Sequence, residues 1–209
     1  FTNNIKNYKN GDRLVGAIAT IGDATISDSY FVNNSGRWGG AITTSGDLLE
    51  GSAVSTLTVS GSTFKENGGL YGAGIFVWGS DFTVSDCVFD KNTASGKGNM
   101  TPNNNNGGAL VVTQGNIPIS GTIINSNFTN NKAQYGGAAW INEGTVDISN
   151  SNFINNTATV EAGAIGFEPA YTKITATVYG TNFINNTAGV DGGAIYSNGD
   201  LRISDSDFD

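Results

Sequence analysis

Histidine is absent from this 209-residue chain, and cysteine and methionine occur once each. Without imidazole the chain lacks the commonest general base and metal ligand, and a single thiol cannot close an internal disulfide. Proline occurs only 3 times, and charged residues make up 13%, with 10 basic against 18 acidic side chains. The net charge of −8 repels a phosphate backbone, so nucleic acid is not an expected partner. No apolar run approaches the roughly 20 residues that span a bilayer, and no basic segment leads into an apolar one, so direct membrane insertion of this segment is not expected. The chain opens in mid-pattern without methionine. It reads as a single domain over 1–209, a piece of something longer.

What is abundant is glycine, 30 residues, and asparagine, 27 residues, beside 11 phenylalanines and many isoleucines, valines and threonines. The aromatic and β-branched content separates the chain from a disordered one, and the lack of a triplet glycine period excludes collagen. An internal repeat organises these residues. Phenylalanine followed three residues later by asparagine recurs at Phe1/Asn4, Phe31/Asn34, Phe64/Asn67, Phe89/Asn92, Phe128/Asn131, Phe153/Asn156 and Phe183/Asn186, and Phe208 begins an eighth copy. The phenylalanines are 30, 33, 25, 39, 25, 30 and 25 residues apart, a minimal unit of 25 with insertions. After each pair comes a small-residue segment such as Gly39-Gly40-Ala41-Ile42, Gly136-Gly137-Ala138-Ala139 or Gly192-Gly193-Ala194-Ile195, with a degenerate copy at Val15-Gly16-Ala17-Ile18.

The stretch before each phenylalanine alternates with period 2, as a half-buried strand does. Ile26, Val59, Val84, Ile123, Ile148, Val178 and Ile203 form an inward column, and Thr25, Thr58, Thr83, Thr122, Asp147, Thr177 and Arg202 an outward one. Three residues before phenylalanine stand Asp28, Gly61, Asp86, Asn125, Asn150, Gly180 and Asp205, types that tolerate left-handed backbone, so a turn is expected there. Three short strands per unit and no helical period predict an all-β fold, a single-stranded parallel β-helix of about seven coils, spanning roughly 34 Å at the usual interstrand spacing. Phenylalanine and asparagine would then stack as buried ladders. An antiparallel sandwich would not hold the two columns in register.

The paired Gly-Gly-Ala-Ile and Phe-x-x-Asn motifs resemble the repeats of chlamydial polymorphic membrane proteins and of adhesin-like surface proteins of methanogenic archaea. The resemblance covers essentially the whole chain. It implies a right-handed β-helix in a secreted or cell-surface passenger region with an adhesive role, whose partner is a glycan or protein of a host or neighbouring cell. The translocating barrel and anchor segment of such proteins have no counterpart in this segment.

Candidate sites are fewer. Many carbohydrate-active enzymes are β-helices, and their chemistry needs two carboxylates about 5 to 10 Å apart. Here Asp28, Asp86 and Asp205 fall in the turn column and Asp23, Asp81 and Asp200 at the preceding corner, where a carboxylate bonds its own backbone. No catalytic residue is assigned, although carboxylates on successive coils can meet in space without a local motif. No metal site or cofactor is expected. Cys87 stands in a column otherwise filled by Ser29, Ser62, Ser126, Ser151, Thr181 and Ser206, and reads as a small polar substitute.

Aromatic residues give the binding expectation. Phe76, Trp140 and Tyr196 follow the Gly-Gly-Ala-Ile segment at a position that alternation places outward, with Trp38 and Trp78 nearby. Exposed rings on a rigid sheet suit stacking against sugars. The competing reading is that they cover the neighbouring coil. Sequons at Asn33, Asn99, Asn127, Asn155 and Asn185 are candidate glycosylation sites. Insertions at 93–106, 47–56, 113–120 and 167–173, which hold Pro102, Pro118 and Pro169, are the other place where function can reside. The expected function is a structural and adhesive, non-catalytic segment, with a polysaccharide-binding or polysaccharide-cleaving domain as the alternative. Unpaired strands at the ends of the stack predict end-to-end self-association.

Overall fold

The computed structural model describes residues 1–4, 16–46, 54–95, 106–113, 118–170 and 173–209. Val15, Asn99, Pro102 and part of each of the four insertions lie outside the described residues. The chain winds as a right-handed parallel β-helix, the hand that a β-crossover to a parallel neighbour takes almost without exception. Three walls are seven-stranded sheets. A glycine wall runs from Ile18–Thr20 through Ile42–Thr44, Ile75–Trp78, Leu110–Thr113, Ala139–Ile141 and Ile165–Phe167 to Ile195–Ser197. A threonine wall and a phenylalanine wall follow in each coil, exemplified by Thr145–Ser149 and Asn152–Ile154.

The expectation of three strands per unit is corrected by a fourth, shorter wall: Gly68–Gly69, Thr93–Ala94, Lys132–Tyr135, Thr157–Glu161 and Thr187–Ala188. Three of its five strands are only two residues long, and most of its residues are Gly, Ala or Thr, so period-2 patterning does not reveal them. What makes them a strand is stacking on the same segment of the next coil.

Two left-handed corners flank the phenylalanine strand. Asp28, Gly61, Asp86, Asn125, Asn150, Gly180 and Asp205 have φ between 46° and 56°, where Asp, Asn and Gly carry the smallest penalty. The second corner falls one residue before the ladder asparagine, at Asn33, Glu66, Lys91, Asn130, Asn155 and Asn185, with φ between 52° and 57°. Glu66 and Lys91 are not turn formers, which is why this corner is less visible in the sequence. Before the glycine wall, Gly136 sits at φ 63°, and Gly137 packs so closely that a Cβ there would lie 2.6 Å from the Thr157 backbone nitrogen.

Between the corners the phenylalanines form one continuous stack. Centroids from Phe1 through Phe31, Phe64, Phe89, Phe128, Phe153 and Phe183 to Phe208 are 4.6 to 5.2 Å apart with rings within 9° of parallel. The six interior rings are buried, whereas Phe1 and Phe208 at the ends are half-exposed. Beside them runs the asparagine ladder. Each Oδ1 accepts from both the backbone N–H and the side-chain N–H of the preceding ladder asparagine, as Asn34 gives to Asn67, Asn67 to Asn92 and Asn156 to Asn186.

A third ladder contains the cysteine. Ser126 and Ser151 each donate from Oγ to the carbonyl two residues back and accept a backbone N–H from the preceding coil. Cys87 follows suit: its Sγ donates to the Ser85 carbonyl at 3.1 Å and accepts the Ser62 N–H. Burial above all pushes the thiol up to about 11. Cys87 should therefore resist iodoacetamide at pH 8 while the protein is folded and react fully once it is unfolded. Rapid stoichiometric labelling of the folded chain would contradict its place in the ladder.

Candidate functional site

In its five interior strands the glycine wall is buried on both faces. Its inward residues, such as Ile42, Ile75, Leu110 and Ile165, join the main core. Its outward residues Phe76, Val111 and Trp140 form a second apolar cluster with the corner residue Ala162. Their direction is as alternation predicts, but their exposure is not: Phe76 and Trp140 are each only 4% exposed. The expectation of bare rings is corrected here. The cover comes in part from Trp38, Tyr71 and Tyr135, which belong to the column Trp38, Tyr71, Asn106, Tyr135, Glu161 and Asp191 just before the left-handed corner at Gly39, Gly72, Gly107, Gly136, Ala162 and Gly192, paired in register along the stack. The corner folds this column over the flank of the sheet.

Together the columns frame a groove along the axis. At its head a recess of about 340 Å³ is lined by Arg37, Trp38, Tyr71, Phe76, Trp78 and Asn106, with Val111, Thr113 and Asn142 behind them. Trp38 is the hub of its rings, with centroids 5.1 Å from both Phe76 and Trp78 and 6.2 Å from Tyr71. At its foot a second recess of about 320 Å³ gathers Tyr135, Trp140, Glu161, Glu168 and Tyr196, and shares Asn106 and Asn142 with the first. Trp140 lies across the space above Gly166, its ring 6.5 Å from and nearly parallel to that of Tyr196, so the glycine leaves room for the indole. Of the expected ligand residues the structure therefore brings Trp38, Phe76 and Trp78 to the head and Trp140 and Tyr196 to the foot.

The two ends differ in charge. Arg37 is the cation of the head, its guanidinium carbon 5.9 Å from the Trp38 ring centroid. At the foot, burial first, then Asp191 and Glu168, raises the Glu161 carboxyl above its ordinary value. Tyr196 is raised by burial and then by Glu168 and Glu161. Asn198 donates to Glu168 Oε2 at 2.7 Å and to the Tyr196 hydroxyl at 2.9 Å, fixing both. These carboxylates were not among the residues marked by sequence. Glu161 and Asp191 become neighbours only through coil stacking, and aligning the residue before each glycine corner is the signal that would have found them. Among the described residues no three His, Cys, Asp or Glu side chains are grouped to hold a metal ion.

Asp28, Asp86 and Asp205 sit at the left-handed corner as expected, whereas Asp81 and Asp200 fall in the first residues of strands, and several of these carboxylates bond partners other than their own backbone. Asp23 accepts the Thr56 N–H at 2.8 Å and Asp81 the Ser120 N–H at 2.6 Å, so they tie their corner to the next coil and not to their own backbone. Asp200 pairs with Lys173. Of the sequons, Asn33, Asn155 and Asn185 are exposed at the second left-handed corner. Asn127 is half-buried and its Oδ1 accepts from Asn152 at 2.8 Å, while Asn99 lies outside the described residues. Among the described residues no helix is long and apolar enough to cross a membrane.

Residues 180–198 match the family model of the Chlamydia polymorphic membrane protein repeat. The matched stretch begins at the turn glycine Gly180, contains the Phe183/Asn186 pair and the Gly192-Gly193-Ala194-Ile195 segment, and ends at Asn198 beside the foot of the groove. No curated protein and no solved structure matches the chain.

Proposed function

We propose that this chain, which carries a polymorphic membrane protein repeat, is a rigid adhesive segment of a secreted or cell-surface protein and binds a glycan without cleaving it. The observation that supports this reading is the groove itself: four aromatic side chains around one recess, on a wall whose backbone is fixed by parallel pairing on both sides. Aromatic faces take up the C–H faces of sugars, and flanking amides and carboxylates take up hydroxyls. Exposed sequon residues Asn33, Asn155 and Asn185 place any attached glycan at the corner between the phenylalanine wall and the short wall, away from the groove.

The probe of binding is Trp78, which is half-buried and lines the head. Trp78→Ala should weaken binding to a responsive glycan at least tenfold on an array followed by calorimetry, with the unfolding midpoint little changed. Trp140→Ala is a poorer probe. Because that ring is covered, its removal should itself cost a few kcal/mol. Equal binding by Trp78→Ala would refute the groove as the glycan site.

A second reading, cleavage, is favoured by one observation: Glu161 and Glu168 line one recess at the foot, where burial and then the Asp191 and Glu168 charges raise the Glu161 carboxyl. Incubation with neutral and acidic polysaccharides distinguishes the two. New reducing ends formed over many turnovers, and abolished by Glu161→Gln or Glu168→Gln, would replace adhesion by catalysis.

A further inference from the structure

The head of the groove holds two polar atoms that the fold leaves without partners. Arg37 Nε and Asn106 Oδ1 are buried and make no hydrogen bond. Arg37 also forms no ion pair among the described residues, although the chain carries a net charge of −8. A buried donor and a buried acceptor left unsatisfied are costly in a folded protein, and as linings of one recess, two coils apart, they mark two points of a ligand's complement. The donor is part of a guanidinium, whose planar fork matches a carboxylate in two parallel hydrogen bonds. The acceptor suits a sugar hydroxyl. The remaining walls are the rings of Trp38, Tyr71, Phe76 and Trp78.

We propose that the head of the groove is a subsite for a carboxylate-bearing sugar, bound through Arg37 and Asn106 against the rings of Trp38, Tyr71 and Trp78. This rests on the glycan-binding reading of the groove and names its ligand more closely. The foot sets the second half of the specificity. Glu161 stands four coils from Trp38 along the same column, roughly 19 Å at the usual strand spacing. With Glu168 and Asp191 beside it, it repels a second anion. The preferred ligand is thus a glycan with one acidic residue at the head and neutral residues running to the foot, and a homopolymer of acidic sugars is disfavoured.

The test measures affinity calorimetrically for five probes: a neutral oligosaccharide capped by one glucuronic acid, the same chain capped by one N-acetylneuraminic acid, the carboxyl-reduced form of each, and an oligogalacturonate. At least one capped chain should bind ten times or more tightly than its reduced form, and which one does so identifies the acidic sugar. Arg37→Gln should abolish that ratio while leaving the affinity for the reduced chain within about twofold, and Arg37→Lys should keep part of it. Oligogalacturonate should bind more weakly than the best capped chain, and Glu161→Gln should narrow the difference. Equal affinity for acidic and reduced chains, or a ratio that survives Arg37→Gln, would overturn the subsite while leaving glycan binding in place. Binding of none of the probes, by a parent protein that also binds no glycan on the array, would overturn both. Should Arg37→Gln fail to fold, Asn106→Ala serves instead, with loss of at least threefold affinity for the capped chain expected and no loss counting against the proposal.

Discussion

Phe128→Ala is expected to lower the unfolding free energy by about 3 to 5 kcal/mol, the cost of a large cavity that the surroundings cannot close. Phe128 is fully buried between Phe89 and Phe153, with centroids 4.6 and 4.7 Å away. Those rings cannot collapse into the gap, because each is fixed by its own coil at the strand spacing. The backbone is pinned by parallel pairing on both sides, Phe89↔Phe128 and Phe128↔Phe153. The matching control is Phe208→Ala at the end of the stack, where the ring is 51% exposed and the loss should be much smaller. Urea unfolding of the three proteins checks this, and a loss below about 1 kcal/mol for Phe128→Ala would refute a packed aromatic ladder.

Asn131→Ala should be at least as damaging, at about 4 kcal/mol or more, for a different reason. Asn131 Oδ1 accepts from both the backbone and side-chain N–H of Asn92, at 2.9 and 3.0 Å. Its Nδ2 donates to the Phe89 carbonyl and to Asn156 Oδ1, each at 3.0 Å. Alanine leaves two donors of Asn92 unpaired in a site closed to water, each costing about 1 to 3 kcal/mol, and takes one donor each from the Phe89 carbonyl and Asn156 Oδ1. Asn131→Asp sharpens the test. It keeps the acceptor but turns a carboxylate oxygen toward Phe89 O and Asn156 Oδ1, so the folded state raises the new carboxyl above its unfolded value of about 3.9. The sign follows: the variant should be most stable near pH 4 or below, where the neutral acid restores a donor, and should lose stability as the pH rises through the folded value. Urea midpoints at pH 4 and pH 7 measure it. An Asn131→Asp protein as stable as the parent at pH 7 would refute the ladder as drawn.

Both variants test a framework that could be read directly from residue spacing. Phenylalanine and asparagine recur three residues apart whatever the length of the insertion between units, and the structure pairs them in register from coil to coil. The same holds for Cys87 among the serines and for the first left-handed corner, where the choice of Asp, Asn or Gly is a steric requirement of the backbone and so leaves a mark in every copy. Local chemistry that repeats is legible without coordinates.

The groove was legible only in pieces. Sequence alone placed Phe76, Trp140 and Tyr196 on the outward side of a strand, and determined the coil, its inward columns and its ladders. It could not determine what lies over those rings. Whether an outward ring meets solvent depends on the path of the neighbouring segment, and here the residues before the left-handed corner carry Trp38, Tyr71 and Tyr135 over the sheet. That placement is a property of the backbone in three dimensions, with no period of its own. The charge pattern has the same origin. Glu161 and Asp191 are 30 residues apart in the chain and adjacent across the stack, and Arg37 and Asn106 face one recess from coils separated by 69 residues of sequence. Only the tertiary structure decided which side chains share a site, because stacking turns a separation along the chain into one strand spacing, and the insertions make that separation different in nearly every coil.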